Sequence, residues 1–81
     1  MATKTDPRDL PISKRIRWAR KRVGLSQEKL ALVARTTRRH VIRLENGENM
    51  PGPELRQRLG EATGQAADLF KNGDEDGEEA A

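Results

Sequence analysis

The chemistry this chain carries in quantity is guanidinium chemistry. Eleven of its 81 residues are Arg and five are Lys, and the planar Arg fork donates in pairs to phosphate or to O6 and N7 of guanine. The groups that enzymes use are sparse by contrast. Cysteine is absent, which removes thiolate nucleophiles, thiolate metal sites and disulfides together. His40 is the sole histidine, and no nucleophile with a base, no paired carboxylates and no metal-ligand cluster stand at a recognisable spacing. The sequence predicts no enzyme, no cofactor and no metal, and it reads His40 as a polar surface or groove residue.

The net charge of +3 conceals two opposed segments. Residues 1–73 carry all 16 basic residues against eight acids, whereas residues 74–81 carry five acids and no base. From Lys14 to Arg43 eleven basic residues stand against a single acid, Glu28. An excess of this size draws a polyanion, although charge alone also fits a solvated helical face.

Those arginines need a scaffold, and 81 residues allow one small domain. With 33% hydrophobic residues and two aromatic residues, Trp18 and Phe70, the core must come from Ile, Leu, Val and Ala, which suits short helices. Ile12, Ile16, Ala19 and Val23 recur at helical spacing up to Gly24, predicting a first helix over 12–23. Ser26 is placed to cap a second helix over 27–34, with Leu25 and Leu30 as a hydrophobic staple. Thr37 caps a third over 38–45 that ends at Asn46-Gly47, with Val41 and Leu44 inward. A Gly- and Pro-rich loop leads to Pro53, the first residue of a fourth helix that ends at Gly64; Ala66, Ala67, Leu69 and Phe70 predict a short fifth. The expected organisation is a flexible arm over 1–11, a domain over 12–71 and a disordered acidic tail over 72–81, whose charge density precludes a core. With no apolar leader and no membrane-length apolar run, the expected location is the cytoplasm, on the nucleoid.

Two short helices joined by about three residues have the dimensions of a helix-turn-helix. Ile16-Arg17, Gly24 to Glu28, Leu30-Ala31, then Val41, Leu44, Glu45 and Gly47 follow one another without a gap in a pattern that resembles the Cro and C1 repressor family, the XRE-type helix-turn-helix regulators of bacteria and phage. The likeness runs from about Ile16 to Phe70. It implies an all-α bundle of about five short helices of the lambda-repressor-like type, binding double-stranded DNA with the third helix in the major groove. Arg38, Arg39 and Arg43 become candidates for base contact and Ile42 for a thymine methyl, gripping phosphate or lining the core edge being the plainer alternatives. Gln27, Ser26, Thr37, Arg17, His40, Asn46 and Asn49 become candidates for phosphate contact. Lys21, Arg22 and Arg35 are either backbone-charge partners or solvated surface. Arg20 and Glu45 occupy the positions of the family's structural ion pair between the first and third helices. The family also implies a homodimer on a two-half-site operator, with Leu69 and Phe70 as candidate dimer residues unless they close the monomer core.

Departures from the pattern carry their own expectations. Arg35 stands where the family usually has Gly, at a turn position that favours positive φ. Ala34, Gly60 and Thr63 stand where Leu, Ala and Leu are common, which predicts a thinly filled core. Trp18, Leu32 and Val33 stand at usually polar positions and predict a partner surface, the alternative for Trp18 being that it folds over the fifth helix as extra core. Two functions are therefore weighed: a sequence-specific transcriptional regulator, most simply a repressor, and an antitoxin or adaptor module that uses the same fold chiefly to bind a protein.

Overall fold

Local capping and periodicity set the helices. The computed structural model describes residues 6–71. The stripe of Ile12, Ile16 and Ala19 forms the inner face of α1 (Ile12–Arg22). Val23 closes that helix, and Gly24, at φ 74°, turns the chain through the left-handed region where a Cβ is costly. Ser26 Oγ accepts from the Lys29 N–H at 3.0 Å and starts α2 (Gln27–Val33). Thr37 Oγ1 does the same for the His40 N–H at 3.1 Å and starts α3 (Arg38–Glu45). Pro53 opens α4 (Pro53–Thr63) at the one place where a missing N–H costs nothing. The first two helices stop one residue before the predicted ends.

The chain is all-helical among the described residues, but the fifth predicted helix is a single 3-10 turn, Ala67–Phe70. A second 3-10 turn, Pro7–Asp9, precedes α1 inside the segment predicted as a loose arm. Its physical reason is Arg15, whose Nε donates to the Leu10 carbonyl at 2.7 Å and whose Nη2 donates to that of Arg8 at 2.8 Å. Nη1 of the same guanidinium donates to the Leu69 carbonyl at 3.1 Å, so one side chain ties both 3-10 turns to α1. The rest of the predicted arm, residues 1–5, and the predicted tail, residues 72–81, lie outside the described residues.

The core joins Ile16, Leu30, Val41, Leu44 and Leu59 to Phe70, the largest of the fully buried side chains. This corrects the candidate dimer role of Leu69 and Phe70: at 4% and 1% exposure they are spent inside the monomer, because the Ala67–Phe70 turn packs against α1 and α4. Gly60 is likewise no unfilled place. A Cβ there would stand 2.5 Å from the Gln65 carbonyl oxygen, so the missing side chain is what lets the last turn approach α4. Thr63 is buried with its hydroxyl donating to the Leu59 carbonyl at 2.7 Å. Arg58 Nε donates to the carbonyl of Ala34 at 2.7 Å, closing the C-terminus of α2 from a distant helix.

Candidate nucleic-acid interface

The third helix has eight residues and two unlike faces. Val41, Leu44 and Glu45 are buried. At 100° per residue, Arg39 and Arg43 lie opposite them, one turn apart, and Asn46 follows on the same side. All three are exposed. Arg38, also exposed, and half-buried Ile42 flank that face on one side. His40 flanks it on the other and lines a shallow cleft with Thr36, Gly52, Pro53, Leu55 and Arg58, beside the start of α4. The outward positions thus hold the candidate base-contacting residues together and set His40 apart from them.

Glu45 anchors this helix from beneath. Its carboxylate takes a bidentate pair from Arg20, Nε to Oε2 at 2.7 Å and Nη2 to Oε1 at 3.0 Å, and is itself fully buried. The third Arg20 nitrogen donates to the Leu25 carbonyl at 3.0 Å, so the same guanidinium also holds the turn into α2. Removing Glu45 strands the Arg20 charge at a cost of roughly 3–5 kcal/mol. Two further groups converge on Glu45. Gln27 Nε2 donates to Oε1 at 3.1 Å, and Arg17 Nε stands 3.6 Å from it.

That convergence is the feature sequence reasoning missed. The pattern pairs Glu45 with Arg20 alone, yet the carboxylate also places two candidate phosphate contacts, at the start of α2 and on α1. Each keeps donors to spare: the Gln27 amide has a second N–H, and half of the Arg17 side chain is exposed. Ser26 and Thr37, both exposed, use their oxygens as cap acceptors, which leaves each hydroxyl proton available to an anion. Asn49 is half-buried in a cleft formed with Pro11, Ile12, Ser13 and Met50.

The arginines divide by use. Arg15, Arg20 and Arg58 are consumed by carbonyls and Glu45. The guanidiniums of Arg38, Arg39 and Arg43 enter no hydrogen bond or ion pair among the described residues. The turn before them is held by Arg35 at φ 57°, the one non-glycine residue in the left-handed region among those described, and by the Thr36 N–H donating to the Ala31 carbonyl at 2.8 Å. The helix-turn-helix family model matches residues 16–70, two thirds of the chain and the whole span of this constellation. The chain belongs to the Cro/C1-type helix-turn-helix family. At the level of that family it is a DNA-binding transcription regulator, and the family is regulatory, not enzymatic. No curated protein matches the regulator's sequence. Among its described residues, no helix is long and apolar enough to cross a membrane.

Proposed function

We propose that this helix-turn-helix regulator is a sequence-specific repressor that occludes promoter DNA on the nucleoid, with α3 in the major groove. Arg39 and Arg43 read guanine edges from the centre of the outer face, Arg38 and Ile42 extend the readout along its flank, and a G-containing half-site follows from the Arg chemistry. Gln27, Ser26, Thr37, Arg17, Asn46, His40 and Asn49 fix the register on the phosphates. The observation that carries this reading is the division of the arginines: the outward guanidiniums of α3 are among those that the fold leaves uncommitted, and they are gathered on one helix face. One domain this small makes too few base contacts for high specificity, so two copies bind half-sites about 34 Å apart.

The test is a titration against random and genome-selected duplexes, site by site. The expected specificity ratio is about a thousandfold or more. Arg39→Ala should relax the preference at one or two base pairs, and Gln27→Ala should weaken all duplexes alike. Sequence-blind losses of equal size from both substitutions would remove Arg39 from the readout.

A second use of the fold, as an antitoxin or adaptor module, draws support from Leu32 and Val33. They are 71% and 52% exposed at the end of α2, an apolar pair that a lone DNA reader does not need. Replacing both with Ser should leave DNA affinity intact; loss of a partner's co-purification would favour this use.

A further inference from the structure

A groove on the outer side of α1 shares one residue, Arg17, with the proposed DNA surface. It is lined by Lys14, Arg17, Trp18, Lys21 and Arg22, four cations around one aromatic ring and no acid. The cations are exposed. Arg22 places its guanidinium 5.4 Å from the centre of the half-buried Trp18 ring, which holds that cation over the groove. Arg20, the α1 residue that faces α3, is 100° or more around the helix from Lys14, Trp18 and Lys21. The groove thus borders the surface assigned to DNA at Arg17, and its other lining residues lie away from α3.

Its position relative to the chain's exit is the informative feature. Arg15, Trp18 and Arg22 follow one another at i, i+3 and i+7, so they share a flank of α1. On that flank Arg15 donates to the Leu69 carbonyl, and the Ala67–Phe70 turn packs against α1. The chain leaves the described domain at Lys71, two residues after Leu69, whose carbonyl Arg15 holds against α1. Three residues further on begins the acidic run Asp74, Glu75, Asp76, Glu78 and Glu79.

We propose that this acidic run, residues 74–79, docks on the basic groove of α1 within the same molecule. Charge complements charge, five carboxylates to four cations. Length suffices too: the eight residue steps from Lys71 to Glu79 span up to about 27 Å when extended, and Lys14 to Arg22 rise only about 12 Å along the helix. The tether is short, so the local concentration of the run is on the order of millimolar, enough for a weak electrostatic contact at low salt. In the docked state the run screens one flank of the basic domain and weakens its hold on arbitrary polyanions, while leaving the outer face of α3 open.

Trp18 is the sole tryptophan, so fluorescence and the indole N–H resonance come from this one ring, which lines the groove and packs on the core beneath. The comparison is between the full chain and a full-length variant with D74N, E75Q, D76N, E78Q and E79Q, from about 20 mM to about 500 mM salt, a range over which screening becomes near complete. In the unaltered chain the Trp18 signals should move with salt, at all protein concentrations. In the neutralised variant they should stay at their high-salt position. Lys14→Gln with Lys21→Gln should also abolish the movement while circular dichroism stays native. Identical Trp18 spectra in the two chains at low salt would overturn the proposal. So would a response that grows with protein concentration, which would place the run on a second copy, or one that appears only on adding duplex DNA, which would give the groove to DNA. None of the supporting measurements involves DNA, so the outcome is independent of the repressor reading.

Discussion

Gly60 sets two general rules against each other. In an exposed helix interior, replacing Gly by Ala gains about 1 kcal/mol through backbone entropy. Here the new Cβ would press on the backbone, 2.5 Å from the Gln65 oxygen and 3.2 Å from the Ala67 nitrogen, and backbone atoms have no other rotamer to adopt. Overpacking of this kind costs roughly 1–3 kcal/mol, so the sign reverses. Gly60→Ala should lower the midpoint of urea unfolding at unchanged m; a raised midpoint would show that the last turn can retreat without loss. Arginine shows the same dependence on neighbours. Arg15, Arg58 and Arg39 are alike in sequence, yet the first two satisfy carbonyls that helix ends and turns leave without partners, and only the third stands open to a ligand.

Among the elements, the turn between α2 and α3 matters most, because it sets the angle at which the outer face of α3 is presented. Arg35 holds this turn at φ 57°. A residue with a Cβ pays roughly 1–2 kcal/mol there, and glycine avoids most of that while loosening the unfolded chain by about 0.4–1 kcal/mol. Arg35→Gly should therefore stabilise the domain by about 0.5–1 kcal/mol, a rise in Tm of a few degrees for a chain of this size. Arg35→Ala, which removes the side chain and keeps the Cβ, should show no such rise. Equal melting of the two variants would place the effect in the side chain and not in the backbone. The positive φ was legible in the sequence, from Arg standing where related turns carry Gly. The shortening of the last helix was not: its apolar residues suit a helix as well as a turn, and packing against α1 and α4 chose the turn.

At the scale of the molecule the distribution of charge decides how it meets DNA. Each cation that neutralises a phosphate adds about 0.9 to the magnitude of the slope of log affinity against log salt. Arg17 is the phosphate candidate best placed to test this, since it reaches Glu45 with half its side chain in solvent and its loss leaves the Arg20 pair intact. Arg17→Gln should reduce the slope by about 0.9 per bound copy on random and specific duplexes alike. An unchanged slope would reassign Arg17 to a purely structural contact with Glu45.

What the sequence determined by itself was local or patterned. Caps at Ser26 and Thr37, the glycine after α1, the inward stripe of each helix and the Arg20–Glu45 pair act within a few residues or belong to a family pattern, so they can be read along a line. The tertiary structure decided how identical side chains are divided between scaffold and surface. Arg15 meets Leu69 across 54 positions, Arg58 meets Ala34 across 24, and Gln27 meets Glu45 across 18. Phe70 and Leu69 enter the core because α1 and α4 come together over them. Hydrogen bonds and burial depend on distance in space, and over such separations only the folded chain sets that distance.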